Sequence, residues 1–267
     1  RHHRHTRSFG SLAECRESRT DARHYGPYPA AQGACSGYLL NVNGFYIMLD
    51  CGNGSFSKLQ KYADYTKLGI LFLSHLHPDH YCDIYCLRQA LKYQMREGIR
   101  KDPLFVYLPE GPEEIAAQIR QWDDVFTVVS LEEAQAAVND FNLFQLKFFP
   151  VQHQMPAYGV QFCIEGEALL TYTGDTGWFA QLDTYCQNSA YLLAEASLRN
   201  CEMAGCGQNH MTAGQAGTLA QNSGAHHLIL THFFPETNLH QLQREAEQNF
   251  DGPVYMSATG KKYILQP

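Results

Sequence analysis

Ser74-His75-Leu76-His77-Pro78-Asp79-His80 follows directly on the apolar run Ile70-Leu71-Phe72-Leu73. Three imidazoles and a carboxylate thus fall within six positions, where a strand of buried type would leave the core. Histidine is the commonest metal ligand at neutral pH. A histidine and carboxylate set without thiolate suits zinc, iron or manganese in a catalytic site better than a closed structural zinc site. The competing reading is a histidine-rich surface turn. One histidine would fit that reading, whereas the repeated His-x-His-x-Asp-His spacing behind a strand fits metal.

The chain of 267 residues is 45% hydrophobic, enough for one sizeable α/β core. Its net charge of -7 argues against a broad basic surface for duplex nucleic acid. No apolar run approaches the roughly 20 residues of a membrane span. The nine cysteines form no Cys-x-x-Cys pair and read as mostly free thiols of a reducing cytoplasm. Cys201, Cys206 and His210 match no strong zinc-knuckle spacing.

Residues 1–24 are an atypical basic segment, read as a tag remnant or a disordered arm and kept apart from the metal reading. Residues 25–267 read as one hydrolase-sized domain. Ser36 to Val42 and Phe45 to Leu49 predict a hairpin around Asn43-Gly44. Helices are expected near residues 56–63, over 84–97, 113–121 and 131–138, and near 239–249. Thr212-Ala213-Gly214-Gln215 is a capping-box pattern opening another, to about Asn222. Further strands are expected over 70–73, 104–108, 144–149, 160–164, 168–173, 191–194, 227–230 and 254–256.

The polar residues fall in a telling place. Asp50, His75, Asp175, Glu195 and His232 each lie at, or one or two residues past, the end of an apolar strand, and His153 follows 144–149 in the same way. Strand ends on one sheet edge can converge, so scattered elements can build one site. His226, His227 and His240 lack this placement and read as structural.

His75-x-His77-x-Asp79-His80, with Leu49-Asp50 before it and His153, Thr173-Gly174-Asp175-Thr176 and Leu230-Thr231-His232-Phe233 after it, resembles the metallo-β-lactamase superfamily. Glu195-Ala196-Ser197 and Asn209-His210-Met211-Thr212 resemble its ribonuclease Z-like and phosphodiesterase branch. The resemblance implies a single-domain α/β fold, a four-layer αβ/βα sandwich, with two divalent metal ions at one sheet edge. Zinc is the first expectation, manganese or iron the next. It implies His75, His77 and His153 on the first metal, Asp79, His80 and His232 on the second, and Asp175 between them. Asp50 would orient a ligand histidine from behind. A hydroxide shared by the metals would attack the substrate. Asp79 would take part in catalysis, with His210 as general acid and Glu195 orienting it.

Two departures bear on substrate. Asp175 lies only 22 positions after His153, too few for the protruding arm of enzymes that process tRNA. After His232 stands Phe233-Phe234-Pro235-Glu236 in place of the ribonuclease's Ser-x-Arg-Tyr. Separately, residues 8–24 do not read as the family's first strand, which would alter one sheet edge. The expected activity is therefore phosphodiester hydrolysis of a small molecule or a short flexible substrate, with tRNA and membrane not expected as partners and a homodimer allowed. Lactone, thioester or β-lactam hydrolysis, and a non-catalytic metal-binding role, are the alternatives.

Overall fold

The computed structural model of the chain describes residues 11–12, 26–205 and 209–266. Fourteen strands among them form two seven-stranded sheets. The first contains β1 (Ser11–Leu12), β2 (Tyr38–Val42), β3 (Phe45–Leu49), β4 (Leu68–Phe72), β5 (Leu104–Leu108), β6 (Phe126–Ser130) and β14 (Tyr263–Ile264). Their order is β14-β1-β2-β3-β4-β5-β6. The second contains β7 (Asn139–Asp140), β8 (Gln145–Pro150), β9 (Tyr158–Ile164), β10 (Glu167–Tyr172), β11 (Tyr191–Glu195), β12 (His227–Thr231) and β13 (Val254–Met256). Their order is β13-β12-β11-β10-β9-β8-β7.

Side-chain alternation explains the layering. Ile47, Leu49, Ile70 and Phe72 point between the sheets and meet Leu146, Phe148, Val160 and Phe162. Met48, Leu71 and Leu73 point outward onto α1 (Ser55–Tyr62), α3 (Ile84–Arg96) and α4 (Glu113–Arg120), through Leu59, Leu87, Leu91 and Ile119. On the other side Leu192, Ala194, Leu228 and Leu230 meet α6 (Ala180–Tyr185), α7 (Ala213–Ser223) and α8 (Leu239–Glu247), through Leu182, Leu219, Leu242 and Ala246. Helices, sheet, sheet and helices are thus separated by three apolar layers. A strand covered on both faces must be apolar throughout, which is why β4 reads as an unbroken apolar run.

The hairpin of β2 and β3 turns at Asn43 and Gly44, both with positive φ, as a two-residue primed turn requires. Glu165 and Gly166 turn β9 into β10 in the same way. The capping box opens α7: Thr212 Oγ1 accepts the Gln215 N–H, and Gln215 Oε1 accepts the Thr212 N–H.

Two expectations need correction. The basic segment contains a sheet strand, Ser11–Leu12, paired antiparallel to Leu40 and to Tyr263–Ile264. The rest of residues 1–25, and Cys206, lie outside the described residues. The helix expected over 131–138 is one turn, α5 (Leu131–Ala134), preceded by the unexpected strand β6. Asn139 Nδ2 donates to the Ala134 and Ala137 carbonyls, which closes the turn before β7 begins. Among the described residues no helix is long and apolar enough to cross a membrane.

β3 runs parallel to β4, and β10, β11 and β12 run parallel to one another. Parallel pairing puts carboxyl ends at a common edge. Asp50, Ser74 and His75, Asp175, Glu195 and His232 all stand at such ends.

Candidate metal centre

Backbone geometry at the strand ends aims these side chains. Asp50 and His232 have φ of 59° and 61°, and Gly174, just before Asp175, has 61°. The left-handed region costs a residue with a side chain about 1–2 kcal/mol. The cost is tolerated here at two polar residues that must turn sharply as they leave a strand. His77 precedes the short helix α2 (Pro78–Tyr81), whose first turn carries Asp79 and His80.

Two groups of ligand atoms result. His75 Nε2 and His153 Nε2 each lie 3.0 Å from His77 Nδ1. His80 Nε2, His232 Nε2 and Asp79 Oδ2 lie 3.2–3.3 Å from one another. Asp175 Oδ2 is 3.1 Å from His232 Nε2, 3.4 Å from His80 Nε2 and 3.8 Å from His75 Nε2, so it faces both groups. Tetrahedral ligands at the usual ~2.0–2.1 Å from zinc stand about 3.3 Å apart, which these spacings match. Asp175 Oδ1 is buried and has no hydrogen-bond partner among the described residues. A buried carboxylate oxygen left without a donor is costly unless a cation faces it. The residues therefore fit two metal ions.

The ring nitrogens that point away from the ligand groups are held in turn. His80 Nδ1 donates to Asp50 Oδ2 at 2.8 Å. Asp50 also accepts from Ser74 N, Ser74 Oγ and Tyr172 OH, at 2.7, 2.9 and 2.7 Å. Because the Ser74 hydroxyl donates to Asp50, His75 Nδ1 donates to Ser74 Oγ, at 3.0 Å. His232 Nδ1 donates to Ser197 Oγ at 2.8 Å, and Ser197 Oγ donates to Glu195 Oε2 at 2.7 Å. His153 Nδ1 donates to the Asn209 carbonyl at 3.0 Å. Each bond fixes the tautomer of the neutral ring, in which Nε2 turns its lone pair toward the centre. Ser74, Ser197, Tyr172 and the Asn209 carbonyl had no role in the sequence reading. Their signal is adjacency, since three of them lie within two residues of His75, Glu195 or His210.

Burial pushes His75, His77 and His153 below the ordinary imidazole value, which keeps them neutral. Burial pushes His80 down too, but the carboxylates of Asp175, Asp50 and Asp79 outweigh it and hold His80 well above its ordinary value. Burial works to raise Asp79, yet His80 and His232 hold its carboxyl well below the carboxylate range.

His210 stands beside the ligand groups, its ring stacked at 5.7 Å on His232. Its Nδ1 donates to Glu195 at 3.0 Å and lies 4.0 Å from Asp175 Oδ2. Glu195 is fully buried and also accepts from Thr176 N at 2.6 Å. Burial opposes a charge on His210, but Glu195 and then Asp175 raise it to about 9.

Other expectations sort cleanly. His226 and His240 are exposed, and His227 is half-buried, stacked on Tyr191. None joins a metal-capable group among the described residues. Phe233 belongs to the core under α7 and α8 rather than to the site mouth. Beside His210, a cavity of about 280 Å³ is walled instead by Trp178, Leu198, Met203, Thr212 and Gln215.

Comparison with known proteins shows the family. The family described as "Beta-lactamase superfamily domain" matches residues 46–233. The chain is 29% identical over 241 residues to the probable metallo-hydrolase YhfI of Bacillus subtilis, covering 88% of this chain and 95% of that protein. The crystal structure of YhfI, a metallo-β-lactamase fold protein, superposes with a TM-score of 0.85, at 25% identity, over 95% of this chain and 99% of that one. The ribonuclease Z of Ignicoccus hospitalis is 24% identical over 77% of this chain and 84% of its own length. The short form of human tRNase Z shares the fold, with a TM-score of 0.70 at 20% identity over 92% of this chain and 98% of that one. The chain belongs to the β-lactamase superfamily domain family, as a metallo-hydrolase of the metallo-β-lactamase fold with ribonuclease Z-like relatives.

Proposed function

We propose that the protein is a dinuclear metal-dependent phosphodiesterase acting on a small molecule or a short flexible substrate. The observation that carries this reading is the buried Glu195 carboxylate aimed at His210, an imidazole outside both ligand trios but 4.0 Å from the carboxylate they share. Metal storage needs no such pair, whereas departure of an alkoxide needs a proton donor.

His75, His77 and His153 would hold one divalent cation and Asp79, His80 and His232 the other, with Asp175 common to both. Zinc suits this set best, with manganese or iron as alternatives. When bound, the two cations supply Lewis-acid charge to the phosphoryl oxygens and make water a stronger acid. The chain does the rest. Asp50, Ser74 and Ser197 hold ligand rings in orientation. Glu195 accepts the hydrogen bond from Nδ1–H of His210, which leaves the Nε2 proton as the catalytic one. Water forms one new P–O bond and gives up one proton to solvent, the P–O bond to the alcohol breaks, and the Nε2 proton of His210 passes to the departing oxygen.

The ribonuclease names of two relatives support a phosphodiester substrate. The tight turn at Glu165–Gly166, between His153 and Asp175, supports a small substrate over tRNA. The seven free thiols among the described residues support a cytoplasmic location. Bis-p-nitrophenyl phosphate, a lactone and a thioester offered to the zinc-loaded protein test the activity. Diester cleavage that a chelator abolishes is expected. Robust lactone cleavage without diester cleavage would replace this reading with carbonyl hydrolysis.

A further inference from the structure

A general acid marks where the leaving group sits, because the proton must reach the departing oxygen over about one hydrogen bond. The cavity beside His210 is therefore the place for the departing alcohol, and its walls carry chemical information. Trp178 is 41% exposed, and its Nε1 donates to Asp183 Oδ1 at 3.2 Å, so a flat apolar face is held in one orientation at the opening. Met203, 54% exposed, adds a polarisable thioether, and the Leu198 side chain is buried in the wall. Gln215 spends its Oε1 on the capping box of α7, which leaves its amide N–H groups as donors at the cavity wall. About 280 Å³ admits a single planar ring system and is small for a ligand pocket.

We propose that this cavity selects a planar aromatic leaving alcohol with a hydrogen-bond acceptor on its rim, and that Trp178 is the specificity-determining residue. The proposal rests on the phosphodiesterase reading for the identity of the bond cleaved. A rigid indole face rewards a planar partner by stacking and gives a methyl or ethyl group little.

Phenylphosphonate and methylphosphonate separate these cases as competitive inhibitors of bis-p-nitrophenyl phosphate hydrolysis by the zinc-loaded protein. Wild type should prefer the phenyl compound by at least about tenfold, the scale of one aromatic stack. Trp178→Ala should remove that preference and Trp178→Phe should keep most of it. Equal inhibition by the two phosphonates in wild type, or an undiminished preference in Trp178→Ala, would overturn the proposal. A second readout does not need turnover. The chain has two tryptophans, so a Trp122→Phe background leaves Trp178 as the sole indole. Phenylphosphonate, and not methylphosphonate, should quench its fluorescence. Quenching without diester turnover would keep the aromatic cavity and discard the phosphodiesterase reading. Diester turnover without quenching would do the reverse.

Discussion

Asp50 Oδ2 accepts the Nδ1 proton of His80 at 2.8 Å, and the same carboxylate takes three further donors from Ser74 and Tyr172. One buried side chain thus sets the ring of a ligand histidine and, through Ser74, the tautomer of a second. Asp50→Ala leaves those donors unmatched in the core. Loss of such a partner behind a metal ligand costs about 10–100-fold in affinity, and unpairing buried groups of this kind costs about 3–5 kcal/mol. Metal titration against a chromophoric chelator should show weakened binding, and thermal unfolding a lowered Tm. Unchanged affinity would mean that His80 keeps its orientation by packing alone.

His210 hydrogen-bonds Glu195 and belongs to neither ligand trio, which makes its removal diagnostic. His210→Ala should lower kcat by about 10²–10⁴-fold, the usual worth of a general acid, and leave two metals per chain by elemental analysis. Loss of metal in that variant would make His210 a ligand and remove its acid role.

The pH profile follows from the same pair. Glu195 and Asp175 raise His210 to about 9 against the pull of burial, so the imidazolium is the main form at neutral pH. An acid acts in its protonated form, so the rate should fall as pH rises through that value. Two bound cations nearby disfavour the imidazolium and move the descending limb below about 9. His210→Ala should flatten this limb at the rates that remain. An unchanged limb would assign it to another group.

Much of this centre is legible in the sequence, for a physical reason. Metal ligation needs particular residue types, and a parallel sheet delivers them at strand ends, so His75, His153, Asp175 and His232 announce themselves as polar residues after apolar runs. Glu195 and His210 were legible as a pair by resemblance, and the 3.0 Å bond between them follows that reading. Ser74 and Ser197 were not, because a hydroxyl relay depends on which atom faces which, and serine is common. The wall at Trp178 is hidden for a related reason: an exposed indole is placed beside His210 only by the folding of the loop after Asp175, while Phe233, next to His232 in the chain, turns into the core. β6 was overlooked because β-branched residues next to a short helical pattern give no period long enough to separate the two.

Gly52 illustrates a constraint that a residue-type reading passes over. A Cβ there would collide with the backbone carbonyl oxygen of Asp79, the residue that opens toward the second ligand trio. Backbone cannot swing aside as a flexible side chain does, so Gly52→Ala must push α2 and carry Asp79 and His80 with it. Overpacking of this kind costs about 1–3 kcal/mol, and it should weaken one metal site more than the other. Gly98→Ala is the matched control, since Gly98 has φ of 71° and nothing within 4 Å of a Cβ. It should cost about 1–2 kcal/mol through its left-handed backbone and leave metal affinity unchanged. Equal metal affinity in both variants would show that α2 yields without moving its ligands.

Metal uptake should release protons, and the histidines differ in how many they give. Burial keeps His75, His77 and His153 neutral near pH 7, so their lone pairs are ready. His80 is the exception: Asp175, Asp50 and Asp79 outweigh burial and keep it protonated in the metal-free protein. A cation must displace that proton, since His80 Nδ1 is committed to Asp50 and Nε2 is the remaining ligand atom. Raising pH toward the His80 value therefore strengthens binding, by about tenfold per pH unit for one proton. Calorimetric titration of the metal-free protein at pH 7, in two buffers of different ionisation enthalpy, counts the protons released by the chain. A count of at least one is expected, since His80 contributes one proton and acidified water or His210 can only add to it. A count of zero would mean that the His80 ring is already neutral before the metal arrives.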